Sequence, residues 1–196
     1  MRIGILGGTF DPPHAGHLAL AEAAQRELSL DEVLFLPANR NPLKSDRRQT
    51  RARHRLEMVR LAIEGREGFS VSDIEIARGG LSFAVDSLKA LRQARPAEYW
   101  FLLGADGLRT LPTWKRPDKL LKLCRLGVAI RPPETVEEAL SRVPPAFRER
   151  VDPIPMKPVR MSSTEIREWI EDGRLPPHSV PAKVLQYIRE NGLYGS

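Results

Sequence analysis

Two glycines, Gly7-Gly8, follow a short apolar run and open the string Thr9-Phe10-Asp11-Pro12-Pro13-His14-Ala15-Gly16-His17-Leu18. Glycines placed there let the backbone turn sharply and approach a ligand closely, and a helix starting beyond them offers N–H groups and a favourable dipole to phosphate. His14 and His17 stand three apart at the mouth of that helix, so their imidazoles can lie side by side and donate hydrogen bonds to one phosphate group. Two blander roles stay open for them: capping the helix or filling the core. Metal ligation is disfavoured, because no nearby Cys or Glu completes a zinc set. The string is not a Walker loop, which needs Gly-Lys-Ser/Thr, and it lacks the third glycine of the dinucleotide fingerprint. Towards the other end, Ser162-Ser163-Thr164-Glu165 is a helix-capping signature with Arg167 just beyond it. No persuasive Ser/His/Asp or Cys/His set offers a covalent nucleophile.

These residues must be positioned by the elements around them. Apolar runs rich in β-branched or aromatic residues at Ile3 to Leu6, Val33 to Leu36, Phe69 to Val71, Tyr99 to Leu103, Leu126 to Ile130 and Val151 to Ile154 read as strands. Helix-period segments lie between them, chiefly His17 to Leu28, Arg53 to Ile63, Ala84 to Ala94 and Thr135 to Val143. Such alternation predicts right-handed βαβ crossovers and an α/β fold, a Rossmann-like doubly wound parallel sheet with helices on both faces. Ligands bind such sheets beyond the carboxyl ends of the strands. The tail differs. One helix should run from the Ser162 capping signature to about Asp172, ended by Gly173, and a second from about Pro181 to Asn191, ended by Gly192. One domain over residues 1–196 is expected, with residues 161–196 a helical extension packed on it.

The totals agree with a globular chain. Apolar residues make up 41% and charged residues 29% of 196, and no apolar run approaches the roughly 18 to 20 residues of a membrane span. No signal-peptide pattern precedes the first strand, so a cytoplasmic protein without membrane partners is expected. The lone cysteine, Cys124, sits among Leu121, Leu123 and Leu126 and reads as a buried, inert thiol. A net charge of +6 favours anionic partners without choosing among them. The basic run Lys44 to Arg55, with Arg47, Arg48, Arg51 and Arg53 between its ends, reads mostly as a solvated helix face. The oligomeric state, monomer or homo-oligomer, is left open.

The string Gly7 to Leu18 resembles the N-terminal signature of the nucleotidylyltransferase superfamily, which ends in H-x-G-H. Met161-Ser162-Ser163-Thr164-Glu165-Ile166-Arg167 resembles its second signature, I-S-S-T-x-I-R. Within that superfamily the remainder of the chain is similar to bacterial nicotinate mononucleotide adenylyltransferases. The similarity is carried by Leu36-Pro37-Ala38-Asn39 with Pro42 and Lys44, Glu75 with Arg78 to Ala84, Phe101 to Asp106, Leu111 to Trp114 and Tyr187 to Tyr194. Three departures stand out: Leu43 replaces a histidine common before the loop lysine, Phe83-Ala84 replaces Tyr-Thr, and Met161 replaces isoleucine.

The resemblance implies in-line attack of a mononucleotide phosphate on the α-phosphorus of ATP, with nicotinate mononucleotide as acceptor and pyrophosphate leaving. On that basis Gly7, Gly8, Thr9, Phe10, His14, His17, Lys44, Gly104, Asp106, Ser162, Ser163 and Arg167 would bind ATP. His17, His14, Lys44 and Arg167 would carry catalysis, and Thr9, Phe83, Ala84, Trp114 and Lys115 would hold the acceptor, with Trp114 stacked on its pyridine ring. Mg2+ is expected with ATP, bound mainly through phosphate and water, so no protein ligand to it is assigned. A phosphopantetheine adenylyltransferase is the nearest rival, although such chains are usually shorter and lack the Leu111 to Trp114 segment. A basic nucleic-acid-binding module is the rival of another class. It leaves both histidines unexplained and has no aromatic-rich strand platform or zinc-finger spacing, so nucleic acid is not expected as a partner.

Overall fold

A computed structural model of the chain describes all residues except 45–48, 131, 134, 142, 158, 160, 175–178 and 196; the side chains of Lys44, Ala105, Asp106 and Ala146 are also outside the description. The described strands are β1 (Arg2–Gly8), β2 (Glu32–Pro37), β3 (Phe69–Val71), β4 (Glu98–Gly104), β5 (Arg125–Ile130) and β6 (Val151–Pro155). They form one parallel sheet in the order β3-β2-β1-β4-β5-β6. Every run expected to be a strand is one.

Side chains alternate across the sheet with period two, which sorts them into two cores. Val33 and Phe35 of β2 and Trp100 and Leu102 of β4 face one side. Leu34 and Leu36, with Tyr99, Phe101 and Leu103, face the other. The first side is covered by α1 (Ala15–Glu27), α2 (Ala52–Ile63), α9 (Ser163–Glu171) and α10 (Ala182–Glu190), which insert Ala21, Met58, Ile166 and Val184. The second is covered by α4 (Ala84–Ala94), α5 (Ala105–Thr110), α6 (Pro117–Leu121) and α7 (Val136–Ser141), through Leu88, Leu108, Leu120 and Ala139. The two tail helices therefore share the core of α1 and α2. Two short helices complete the set, α3 (Ile74–Arg78) and α8 (Pro145–Arg148).

The sheet order sets the place for a ligand. After β1 the chain crosses to one face, and after β4 it crosses to the other, so a crevice opens between the carboxyl ends of these two neighbouring strands. Gly8 and Gly104 end the two strands at that point. Helix α4 has the bounds expected from the sequence, but α1 begins two residues before the expected His17. Helices α3, α5, α6 and α8 were not anticipated, because runs of 5, 6, 5 and 4 residues are too short to show a helical period. Among the described residues no helix is long and apolar enough to cross a membrane.

Candidate active site

The glycines ending β1 are required by packing. A Cβ on Gly7 would stand 2.9 Å from Cζ of Phe101, and one on Gly8 would stand 3.1 Å from Cζ of Phe10. Phe10 is 1% exposed and holds a φ of 51°, a left-handed conformation that costs a large residue energy and persists only where its surroundings enforce it. The chain then runs through Asp11 to Pro13 into His14, the N-cap of α1.

His14 and His17 form a reciprocal capping box. The Gly16 N–H donates to Nδ1 of His14 at 3.1 Å, and the His14 N–H donates to Nδ1 of His17 at 3.2 Å. Their ring centroids are 3.8 Å apart, and Phe10 packs edge-on to His17 at 4.9 Å. Capping and phosphate chemistry are thus compatible rather than alternative. With Nδ1 accepting, the proton of each neutral ring lies on Nε2, the nitrogen suited to donate to a phosphate oxygen.

The expectation that α1 would present unpaired amides is corrected. Ala15 N–H donates to the Ser179 carbonyl at 2.7 Å, Gly16 to His14, and His17 to the His14 carbonyl at 2.9 Å. The first turn is satisfied by protein groups, one of them from outside the helix. Helix α9 supplies the contrast. Ser162 caps it, in a box with Glu165, while the Ser163 and Thr164 amides have no hydrogen-bond partner among the described residues. Among the described residues, α9 rather than α1 leaves amides that an anion could take.

The two signatures meet. Ser163 Oγ donates to the Pro12 carbonyl at 3.0 Å, and Arg167 Nη1 donates to the Asp11 carbonyl at 2.7 Å. Ser162 is instead occupied by its capping box, so the serine of the cap is Ser162 and not Ser163. The β1–α1 loop and the start of α9 are therefore walls of one crevice.

Arg55, read from the sequence as one more solvated cation of a basic run, is 1% exposed. Its Nη1 donates to the Thr9 carbonyl at 2.7 Å, Nη2 to the Asn39 carbonyl at 2.9 Å and Nε to the Thr50 carbonyl at 2.9 Å. Burial pushes its pKa down, and the Asp11 carboxylate works in the opposite direction. The guanidinium is a strut joining the loops after β1 and β2. Asp11 and Tyr194, also absent from the sequence-derived site, adjoin it: the Tyr194 hydroxyl donates to Asp11 Oδ1 at 2.6 Å.

Thr9 is buried, with Oγ1 accepting from Asn41 Nδ2 at 3.4 Å. The residues expected to hold the acceptor cluster beyond β4 and α4. Phe83 is the N-cap of α4 and makes no side-chain capping bond, which places Ala84 at the first helical position. The Lys115 ammonium lies 4.1 Å above the Phe83 ring and 2.9 Å from Asp86. Trp114 packs edge-on to Phe101 at 5.6 Å, with Nε1 donating to Thr110 Oγ1 at 3.2 Å. Since Phe101 also lies against Gly7, this cluster is continuous with the β1 end of the crevice. Glu75 is buried and accepts from Ser87 Oγ at 2.5 Å, and Arg78 donates to the same hydroxyl at 2.8 Å, which fixes α3 against α4. Gly104 is the N-cap of α5. The side chains of Lys44 and Asp106 lie outside the described residues. Among the described residues no three His, Cys, Asp or Glu side chains could hold a metal ion together.

The chain matches the cytidylyltransferase-like family over residues 5–169. It is 43% identical over 196 residues to a Thermomicrobium roseum protein named "Probable nicotinate-nucleotide adenylyltransferase", covering 98% of this chain and 91% of the relative. It is 44% identical to a Gemmatimonas aurantiaca protein of the same name, covering 99% and 92%. In fold it is similar to the Plasmodium falciparum nicotinic acid mononucleotide adenylyltransferase complexed with NaAD, with a TM-score of 0.80 at 19% identity over 98% of this chain and 97% of that one. The same enzyme complexed with APC gives a TM-score of 0.77, again at 19% identity, over 98% and 96%. Matched to such relatives along nearly its whole length, the chain belongs to the nicotinate-nucleotide adenylyltransferase family, within the cytidylyltransferase-like group.

Proposed function

We propose that the chain transfers the adenylyl group of ATP to nicotinate mononucleotide, a step of NAD biosynthesis, and releases nicotinate adenine dinucleotide and pyrophosphate. The observation that carries this is the junction of Arg167 with Asp11 and of Ser163 with Pro12, beside the paired imidazoles at the strand switch point. A phosphate oxygen of the acceptor attacks the α-phosphorus in line, and the bond from that phosphorus to pyrophosphate breaks. No covalent intermediate is needed, so the protein contributes position and charge stabilisation.

His14 and His17 donate from Nε2, the Gly8 to Phe10 backbone shapes the loop around the phosphates, and the Ser163 and Thr164 amides with Arg167 act from the opposite wall. Each donor placed where charge develops is worth about 3 kcal/mol in the transition state. Lys44 is assigned to the β and γ phosphates, and Gly104 and Asp106 to the ATP ribose. At the acceptor end, Trp114 stacks on the pyridine ring, with Phe83, Lys115 and Thr9 around it. The amide of Ala84 donates to the acceptor carboxylate, a role the main chain fills without a threonine hydroxyl.

ATP would be bound together with Mg2+. A neutral imidazole with its proton on Nε2 and its Nδ1 accepting an N–H is no metal ligand, so neither His14 nor His17 is assigned to the ion, which the phosphates and water would hold. Bound with the triphosphate, Mg2+ would supply positive charge against the departing pyrophosphate. A cytoplasmic location is proposed with this function.

The test is to supply the purified protein with ATP, Mg2+ and, in separate reactions, nicotinate mononucleotide, nicotinamide mononucleotide and phosphopantetheine. Dinucleotide formed in step with pyrophosphate from the nicotinate substrate is the expected result. Product from phosphopantetheine alone, or none from any acceptor, overturns the proposal.

A further inference from the structure

We propose that Tyr194 is a positioning residue for adenylyl transfer, acting through the side chain of Asp11 on the β1–α1 loop; this rests on the function proposed above. Asp11 is 6% exposed and is held at three atoms by three distant segments. Its Oδ1 accepts from the Tyr194 hydroxyl at 2.6 Å, its Oδ2 from the Thr50 N–H at 3.1 Å, and its carbonyl from Arg167 at 2.7 Å. Arg55 grips the Thr9 carbonyl on the other side of Phe10. The left-handed Phe10 is thus flanked by two clamped residues, one of which depends on the end of the chain.

Tyr194 is suited to this task. It lies in the closing turn Leu193–Gly195 with a φ of 62°, and its hydroxyl is also 4.0 Å from Met58 Sδ, so the ring is seated against α2. Burial, and then the adjacent Asp11 charge, push the phenol pKa upward, which keeps the hydroxyl a donor at working pH. Without this bond Asp11 Oδ1 loses a buried donor and the loop loses one of its three ties. His14 and His17 follow Asp11 by only three and six residues, so a loosened Asp11 misplaces the imidazoles relative to the phosphorus. Tyr194 itself contacts no substrate in this scheme.

Tyr194→Phe removes the hydroxyl and keeps the ring. The number of competent molecules is counted by calorimetric stoichiometry of ATP binding, and kcat is expressed per competent molecule, so partial unfolding does not enter the result. The expected result is a fall in kcat of about tenfold with both KM values within about twofold, because the loss is of orientation in the transition state. Asp11→Asn combined with Tyr194→Phe should cost no more than the larger single change, since both act through one bond. An unchanged kcat per competent molecule, or additive losses in the double variant, overturns the proposal. Absence of turnover in the unmodified protein would instead refute the underlying function.

Discussion

Arg167 Nη1 and the Asp11 carbonyl are 2.7 Å apart, a hydrogen bond that joins residues 156 positions distant and ties the start of the tail to the phosphate loop. The bond uses one edge of the guanidinium, and Nη2 reaches Thr164 Oγ1 at a longer 3.3 Å. A fork of five donors can keep the loop and also turn to a phosphate. Lysine holds its donors on one nitrogen and lacks the span of the fork. Arg167→Lys is therefore expected to lower kcat/KM by about 10²-fold, equivalent to roughly 2.7 kcal/mol, while the urea midpoint moves little. A variant within threefold of the unmodified protein would show that the fork is not used on the phosphates.

His17 offers a way to separate capping from chemistry. Its Nδ1 accepts the His14 N–H, a task that the side-chain oxygen of asparagine can assume, whereas nothing in asparagine replaces the Nε2–H donor. His17→Asn should keep its melting temperature within a few degrees and lose about 10² to 10³ in kcat. His17→Ala should lose the same activity and additionally about 1 kcal/mol of stability with the cap. If the asparagine variant retains its rate, His17 is only a cap.

The readable parts of the molecule were those written in contiguous strings. Tyr99, Phe101 and Leu103 alternate with Trp100 and Leu102, so β4 announces both its existence and its two faces. His14 with His17, and Ser163 with Arg167, are each local signatures whose neighbours state the helix that carries them. Arg55 was unreadable because its burial depends on carbonyls contributed by Thr9, Asn39 and Thr50, and no spacing within Lys44 to Arg55 distinguishes it from exposed neighbours such as Arg51 and Arg53. The same holds for the amides of α1. Nothing near Ala15 indicates that Ser179, far along the chain, will take its N–H.

Arg55 should be a stability residue first. Truncation strips donors from three carbonyls and removes the positive charge that offsets the Asp11 carboxylate, so Arg55→Met is expected to cost about 3 kcal/mol or more. Urea unfolding measures it directly. Arg55→Lys should recover less than half, because one ammonium cannot span three carbonyls set out for a planar fork. A loss under about 1 kcal/mol would mean that the strut behaves like a surface charge.

Cys124 is buried, and burial pushes its thiol pKa up to about 12. The thiolate, which is the reactive form, is therefore scarce at neutral pH. Iodoacetamide should leave the folded protein unmodified over a period in which the urea-unfolded chain is fully alkylated, as read by intact mass. Rapid labelling of the native protein would contradict the packing of Leu120 and Leu121 around it.

Asp152 provides a pH test remote from the crevice, on β6 at the sheet's edge. Burial pushes its carboxyl pKa up, but bonds from Arg125 and from the Trp100 indole outweigh that and hold it below the ordinary range. Arg125 Nε and Nη2 reach its two oxygens at 2.6 and 2.7 Å, and Trp100 Nε1 reaches Oδ2 at 2.8 Å. A carboxyl depressed on folding adds stability that is complete above its unfolded pKa of about 3.9. That stability is lost as pH falls through the lower folded value. Arg125 is 37% exposed, so solvent screening limits the pair to about 1 kcal/mol. Asp152→Asn should thus unfold more easily than the unmodified protein at neutral pH, and the two denaturation midpoints should converge as the pH drops below about 3. Turnover should be unaffected, since neither Asp152 nor Arg125 touches the loops after β1 or the start of α9. A difference in stability that persists undiminished in acid would show that the asparagine disturbs packing rather than the ion pair.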